Sequence, residues 1–273
     1  MKHSSYIILS VLTLAMLLVS SCSDISESER LEYVKPEVQG RNILIEDFTG
    51  QNCVNCPKAT AVIEQLQQQY GADTIIAVAI HSGYFGVHNS PTQVGLATDL
   101  GDTYYNHWGI ESQPNGIIDR SDGIMPYDWW TNKVTYDLEQ KAQVNIDLTN
   151  SYDAATNSVS MLVQLVGSDS TTVSGRLQLW AVEDSIHAYQ LMPDGSRNDA
   201  YIHNHVLRAA VNGTWGDEVT VAPGQSETKS YQLPLDSSWN PAHVAIVAFV
   251  YDDNGVKQVV RRSIGARQTA NNE

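Results

Sequence analysis

The chain has 273 residues, of which 42% are hydrophobic and 17% are charged, so it can form about two globular domains with substantial cores. Its formal net charge of −15 argues against nucleic acid as a partner, because phosphate binding requires a basic patch and the sequence has none. The acidity instead favours solubility and repels anionic surfaces.

Residues 1–21 are typical of a secretory signal peptide. Lys2 precedes an apolar run from Tyr6 to Val19, which is short for a membrane span. The run leads into "LLVSSC", which resembles the lipobox of bacterial lipoproteins. The resemblance implies that Cys22 becomes the lipidated first residue of the mature chain and attaches it to a membrane. The alternative is an ordinary signal peptide that leaves Cys22 unmodified.

The polar, acidic segment 22–40 ends in a Pro- and Gly-containing stretch and is predicted to be a tether. Beyond it the sequence holds two further cysteines, Cys53 and Cys56. If Cys22 carries lipid, these two remain as a pair. The compartment beyond the inner membrane is oxidising, so the pair can exist as a disulfide.

Residues 41–142 alternate predicted strands and helices. Apolar runs predict buried strands at 42–48, 74–80 and 115–120 and a short fourth strand around Ile124. Helical spacing of apolar residues predicts helices at 56–70, 91–108 and 127–142. This order implies an α/β domain with a partly parallel sheet covered on both faces.

The pattern changes in residues 143–273, where apolar and polar residues alternate between polar turns. "DDNG" at 252–255 is a good hairpin turn. These features predict an all-β domain, an immunoglobulin-like antiparallel β-sandwich. The predicted fold class is therefore α/β plus all-β.

The "CVNCP" motif stands where the first strand runs into the first helix. Unpaired N–H groups and the helix dipole at this position stabilise a thiolate, which is the nucleophile of disulfide exchange. Cys53 would attack, and Cys56, one turn further on, would resolve the mixed disulfide. A structural disulfide and a metal site are the alternatives, although zinc usually takes four ligands and no second Cys-x-x-Cys is present.

The motif and its surroundings resemble thioredoxin-like proteins over residues 41–142. Asp47 stands six residues before Cys53, where thioredoxins carry a buried acid, which implies that it accepts the proton of Cys56. The segment "SQPNGIID" resembles the thioredoxin cis-proline segment. The resemblance implies that Pro114 packs on the disulfide and that the backbone of Gln113 pairs with an extended substrate.

The sequence departs from thioredoxins around the cysteines. Asn52 replaces the usual Trp, and the intervening pair is Val54 and Asn55. The inserted loop 81–91 is predicted to form a lip near the cysteines.

Two histidines, His203 and His205, stand in "YIHNHV". On one face of a strand they would be a possible metal pair, but packed or hydrogen-bonded side chains are the commoner explanation. The adjacent Trp129 and Trp130 point in different directions on a helix, which favours burial over a sugar-binding platform.

The whole chain resembles the 28-kilodalton outer-membrane lipoprotein family of Bacteroidetes, through the lipobox, "CVNCP", "YIHNHVLR" and "WNPAHVAIVAFVYDD". The resemblance implies a cell-envelope location, at the outer membrane. Two functions remain open: a thiol–disulfide oxidoreductase that acts on envelope or surface proteins, and a non-catalytic surface binding protein or adhesin with a structural disulfide. The first needs no bound cofactor and no metal, but it needs an external electron donor or acceptor.

Overall fold

The computed structural model describes residues 40–168 and 171–265, which lie within one compact unit. The predicted signal peptide, Cys22 and the tether up to residue 39 lie outside the described residues. The fold is mixed α/β with strands predominating, which confirms the predicted class at that level. Besides short 3-10 turns, the described residues form three helices: α1 (Cys56–Tyr70), α2 (Asp99–Trp108) and α3 (Trp130–Leu138).

The strands of the described residues form sheets of nine, three and two strands. In chain order they are β1 (Ile43–Thr49), β2 (Ile75–His81), β3 (Asn115–Ile118), β4 (Ile124–Pro126), β5 (Val144–Asp153), β6 (Ser158–Gly167), β7 (Val173–Glu183), β8 (Ile186–Leu191), β9 (Arg197–His203), β10 (Val206–Ala210), β11 (Asp217–Val221), β12 (Ser226–Pro234), β13 (Val244–Asp252) and β14 (Gly255–Ser263).

The nine-stranded sheet crosses the predicted domain boundary between residues 142 and 143. Its order is β14-β13-β7-β10-β2-β1-β3-β4, and β11 also pairs with β7. The two parts meet where β10 runs parallel to β2, with Val206 opposite Ala79. The backbone N–H of Ala79 donates to the carbonyl of His205 at 2.8 Å. The two predicted domains therefore share one sheet, and their division at residue 142 stays a prediction.

Alternate side chains of β1 pack into two separate cores, one on each face of the sheet. Ile43 and Ile45 pack in the core beneath α1 and α3. Leu44 and Phe48 point to the opposite face, where α2 and the side chain of Trp180 from β7 complete a second core. Both faces of β1 are therefore covered, as the alternation of strands and helices predicted.

A third core lies between β7 and β13 on one side and the β12-β6-β5 sheet on the other. Leu177, Leu179 and Ala181 of β7 point into it, whereas Trp180 and Val182 point into the core of α2. This period of two is the pattern by which a strand serves two layers at once.

The helix predicted at 91–108 begins later than the sequence pattern indicated. Thr98 caps α2, because its hydroxyl accepts a hydrogen bond from the N–H of Gly101 at 3.0 Å. The helix predicted at 127–142 is also shorter: a 3-10 turn at Tyr127–Trp129 precedes α3. Of the adjacent tryptophans, Trp130 is buried as expected, but Trp129 is 66% exposed.

The strand predicted at 115–120 ends at Ile118. Asp119 and Arg120 have φ angles of 49° and 52°, in the left-handed region, which ends the extended strand conformation. The Asp119 carboxylate accepts a hydrogen bond from the N–H of Leu44 at 2.8 Å and pairs with Arg41. This corner therefore attaches the end of β3 to the start of β1.

Candidate functional site

The Cys-x-x-Cys motif lies where β1 leads into α1. Cys56 is the first residue of α1, and it forms a disulfide with Cys53. Pro57 fits the first turn, since the first N–H groups of a helix have no intrahelical acceptor. Both cysteines are only 2% exposed. The pair therefore lies beneath the surface, near the positive end of the helix dipole.

The turn that precedes the disulfide rests against the loop 81–91. The N–H of Asn52 donates to the carbonyl of Phe85 at 3.1 Å. Gly50 is required at the contact, because a Cβ there would collide with the same carbonyl. Tyr84, next along the loop, is 85% exposed. The loop therefore lies beside the cysteine turn.

Asp47 lies on β1 with its side chain on the same side of the sheet as α1. It is 2% exposed, and its Oδ1 has no hydrogen-bond partner among the described residues. Burial disfavours the charged carboxylate and raises the pKa of Asp47 to about 8. At neutral pH the folded, oxidised protein therefore keeps this carboxyl mostly protonated.

A cavity of about 30 Å³ connects Asp47 with the disulfide. Its wall includes Asp47, Cys56, His81 and His203. A volume of this size has room for a water molecule, since about 10–15 Å³ is enough for one. The buried acid and the second cysteine of the motif therefore share one small polar space.

Gln113 and Pro114 lie in the loop that leads into β3 and are joined by a cis peptide bond. Pro114 is buried and Gln113 is half-buried. The Gln113 side-chain amide donates to the carbonyl oxygens of Thr49 at 2.7 Å and Ser82 at 3.0 Å. This side chain therefore links the ends of β1 and β2. Whether the Gln113 backbone pairs with a substrate stays a prediction.

The hairpin formed by β8 and β9 covers the cysteine turn, which sequence reasoning did not foresee. The Gln190 side-chain amide donates to the carbonyl of Cys53 at 2.9 Å and to that of Gly50 at 3.3 Å. The N–H of Leu191 donates to the carbonyl of Gln51 at 2.9 Å. The backbone of the motif is thus hydrogen-bonded to a segment nearly 140 residues further along the chain.

Gln51, in the cysteine turn, is fully buried, and its side chain bonds to backbone groups of other segments just as that of Gln190 does. Its amide nitrogen donates to the carbonyls of Val94 at 3.1 Å and Tyr189 at 3.3 Å, and its oxygen accepts from the N–H of Leu96 at 3.0 Å. The hydroxyl of Tyr189 donates to the side chain of Asn52 at 2.9 Å. These bonds hold the hairpin, the long loop before α2 and the cysteine turn together.

His203 comes from the hairpin and lies beside His81 at the end of β2. The two ring centroids are 5.1 Å apart in an edge-to-face arrangement, and both side chains are buried. His205 lies elsewhere: its Nδ1 is 3.1 Å from a carboxylate oxygen of Asp184. His203 therefore lies against His81, whereas His205 lies against Asp184.

Among the described residues, one set of three side chains has metal-ligand spacing: His88, Asp99 and Asp102. His88 and Asp99 are exposed, and the His88 ring already contacts the Asp102 carboxylate at 2.8 Å. This set includes none of the residues around the disulfide.

The Omp28 outer-membrane protein family matches residues 101–268, more than half of the chain. The chain belongs to the Omp28 family. The match includes Gln113, Pro114 and the β8–β9 hairpin but begins after Asp47 and the two cysteines. The predicted cell-envelope location, as an outer-membrane lipoprotein, is confirmed by this membership.

Solved structures similar to this Omp28 member share its fold at low sequence identity. HBP35 of Porphyromonas gingivalis is 18% identical with a TM-score of 0.65, over 86% of this chain and 79% of that one. Protein AGR_C_4864 of Agrobacterium tumefaciens is 14% identical with a TM-score of 0.50, over 85% and 98% of the two chains. No curated protein matches the chain.

A domain of the outer-membrane lipoprotein Omp28 from Porphyromonas gingivalis is 27% identical, with a TM-score of 0.34, over 45% of this chain and 89% of that one.

None of the described helices combines the length and hydrophobicity needed to cross a membrane.

Proposed function

We propose that this Omp28 member is a lipid-anchored thiol–disulfide oxidoreductase that acts on proteins of the cell envelope. The observation that carries the proposal is the disulfide at the start of α1, with the unpaired, buried Asp47 in the same cavity as Cys56. A perturbed carboxyl beside a sulfur pair is the arrangement that proton-coupled thiol chemistry requires. The lipid on Cys22, which would anchor the enzyme, is part of the proposal.

A thioredoxin-like assignment of residues 41–142 is supported by their topology. β1 and β2 are parallel and are joined by α1, β3 pairs antiparallel with β1, and β4 pairs antiparallel with β3. Helices cover both faces of this part of the sheet. The strand order in this part is β2-β1-β3-β4, and the cysteine turn follows the carboxyl end of β1.

An immunoglobulin-like assignment of the second part is supported by the two antiparallel layers that enclose its core. It departs from a separate sandwich in one respect, because β10 continues the sheet into β2. The second part would hold and cover the redox unit rather than act as an independent module.

Cys53 is the proposed nucleophile. Its thiolate attacks a substrate disulfide, forms a mixed disulfide and releases one substrate thiolate. The ionised form of Asp47 then takes the proton of the Cys56 thiol, which attacks the sulfur of Cys53. The Cys53–Cys56 disulfide forms, and the second substrate thiolate leaves. An external dithiol restores the reduced pair, and the reverse sequence would oxidise a substrate dithiol.

Gln113 and Pro114 are the proposed substrate contacts, since their loop lies at the carboxyl end of β1 beside the cysteine turn. Thr49, the last residue of β1, accepts the Gln113 amide. An extended segment of an envelope protein could add its backbone beside Gln113. No bound cofactor enters this scheme.

A second candidate function is supported by the cover on the disulfide. Both sulfurs are buried, and Gln190 and Leu191 bind the backbone of the motif. A disulfide sealed in this way suits a structural staple in a surface-binding lipoprotein. The two candidates differ in how the disulfide opens: by movement of the hairpin in the first, and only by unfolding in the second.

The deciding experiment is a redox titration of the mature lipoprotein in detergent micelles, with trapped thiols counted in glutathione and dithiothreitol buffers. A midpoint between about −120 and −270 mV supports the oxidoreductase, and one below about −300 mV supports the structural staple. The reduction rate is measured in parallel at increasing dithiothreitol concentration. A rate that equals the global unfolding rate contradicts the first candidate.

Cys53→Ser provides the functional control. An oxidoreductase loses all disulfide exchange with a model substrate protein while its far-ultraviolet circular dichroism is unchanged. Cys56→Ser should instead trap the mixed disulfide on Cys53, which mass spectrometry detects. Retention of exchange activity in Cys53→Ser would exclude the proposed nucleophile.

A further inference from the structure

We infer that His81 and His203 conduct protons between the buried Asp47 and the exterior, so that the hairpin β8–β9 supplies a functional group to the disulfide site. The inference rests on the proposed oxidoreductase function and goes beyond it. His203 lies in the part of the chain predicted as the β-sandwich, nearly 150 residues from the cysteines.

The first support is the shape of the shared cavity. Asp47 and Cys56 lie on its wall together with His81 and His203. The wall also includes Ile202, which is 49% exposed, and the exposed Asn204. The cavity is therefore lined both by the buried carboxyl and two imidazoles and by residues that reach the surface.

The second support is a pair of buried polar atoms without partners. Asp47 Oδ1 and His81 Nδ1 are both fully buried, and neither has a hydrogen-bond partner among the described residues. Buried polar groups in native proteins are nearly always hydrogen-bonded, and a bound water is one explanation for an exception. A water in the cavity would bridge such atoms, and a bridged chain of this kind can move a proton.

The charge states fit this role. Burial lowers the pKa of His203 to about 4, and burial, then the nearby His203 and Arg208, hold the pKa of His81 well below its ordinary range. Both imidazoles are therefore neutral at pH 7, with one nitrogen to donate and one to accept. The phenol of Tyr201, whose ring centroid is 4.7 Å from that of His203, also lines this cavity. Glu64, Asp184 and His205 line a second cavity that Asp47 borders.

The step starts from the oxidised state that the structure describes. A thiolate of an external dithiol attacks Cys53 and breaks its bond to Cys56, so the Cys56 sulfur leaves as a thiolate. The protonated carboxyl of Asp47 gives its proton to that thiolate. His81 and His203 then return a proton from solvent to the Asp47 carboxylate, which balances the reaction.

The test measures single-turnover reduction of the mature lipoprotein by dithiothreitol between pH 6 and pH 9.5, with rates divided by the dithiothreitol thiolate concentration. In the wild type this corrected rate should fall above about pH 8, as Asp47 loses its proton. His203→Gln and His81→Gln should each slow reduction about tenfold and displace this inflection. His187→Gln, an exposed histidine on the same hairpin, is the matched control and should change neither.

A purely structural role for the histidines predicts the opposite sign. If His203→Gln only loosened the hairpin, the disulfide would become more accessible and reduction would be faster, with an unchanged pH profile. That result overturns the inference, and so does a wild-type rate in either histidine variant.

Asp47→Asn separates failure of the inference from failure of the proposed function. If Asp47→Asn removes the inflection and the histidine variants do not alter it, only the inference is wrong. If the wild-type disulfide is reduced only on global unfolding, both are wrong.

Discussion

Glu46 and Asp47 are neighbours on β1, and both are almost completely buried, yet the two faces of the sheet treat them differently. Glu46 points to the face of α2, where its carboxylate pairs with Arg120 at 2.7 Å. Asp47 points to the face of α1, where its Oδ1 has no hydrogen-bond partner among the described residues and a small cavity adjoins it. Two carboxyl groups one residue apart therefore lie in opposite environments, one paired with a cation and one beside a cavity.

The paired acid holds the fold together. The Arg120 guanidinium carbon lies 4.3 Å from the ring centroid of Tyr251, 4.9 Å from that of Phe249 and 5.3 Å from that of Trp180. These rings belong to β7 and β13, so the pair connects the first part of the chain with the second. The Oδ1 of Asp47 has no such contact among the described residues, and in the proposed function this carboxyl is the group that transfers a proton.

The largest change in stability is expected from breaking the ion pair between Glu46 and Arg120. Arg120→Met should destabilise the protein by about 3–5 kcal/mol, because it leaves the carboxylate of Glu46 buried without a partner. Urea unfolding at pH 7 measures the loss. Arg176→Met is the matched control, since Arg176 pairs with the exposed Glu218 at 3.6 Å and should cost no more than about 1 kcal/mol. Equal losses in the two variants would contradict the structural role of the buried pair.

The buried carboxyl of Asp47 should make the free energy of unfolding depend on pH. The folded-state pKa of Asp47, about 8, lies above the ordinary value of 3.8, so between these pH values the folded state holds a proton that the unfolded state has lost. The contribution of Asp47 to stability is therefore greatest below about pH 4 and falls by at most about 1.4 kcal/mol per pH unit as the pH rises towards 8.

Asp47→Asn removes this dependence. The free energy of unfolding of the variant, relative to wild type, should increase between pH 5 and pH 8 in urea titrations of the oxidised protein. A difference that is the same at both pH values would show that Asp47 ionises freely in the folded state.

A smaller effect is expected from the cover on the disulfide. Gln190→Ala removes the side-chain hydrogen bonds to Cys53 and Gly50, so the hairpin should open more often and reduction by dithiothreitol should be about tenfold faster. Gln164→Ala, on the exposed side of β6, is the control and should leave the rate unchanged. A slower or unchanged rate in Gln190→Ala would mean that the hairpin does not limit access.

The smallest effect is expected from the hydroxyl of Tyr189. Tyr189→Phe keeps the ring but removes the hydrogen bond to Asn52 and the longer one from Gln93, which should make reduction about two- to tenfold faster. Tyr136→Phe, at an exposed tyrosine of α3, is the matched control. Identical reduction rates in the two variants would show that the Tyr189 hydroxyl does not help to hold the hairpin over the disulfide.

Much of the region around the cysteines could be predicted from local patterns. The Cys-x-x-Cys turn, the position of Asp47 on a buried strand and the loop of Pro114 before β3 follow from periodicity and from residue types that favour particular backbone geometries. The start of α2 was missed because the capping preference of Thr98 outweighs the helical appearance of the residues before it.

The sequence by itself determined which short segments become strands and helices and where the two cysteines meet, because these depend on neighbours within a few residues. The tertiary structure decided the rest. Glu46 and Arg120 are 74 residues apart, and Gln190 and Cys53 are 137 apart. The first two meet because β3 lies beside β1, and the second two because β10 pairs with β2 and the sheet brings the second part of the chain over the disulfide. Neither pairing is visible in the sequence, because burial and hydrogen bonding depend on distance in space.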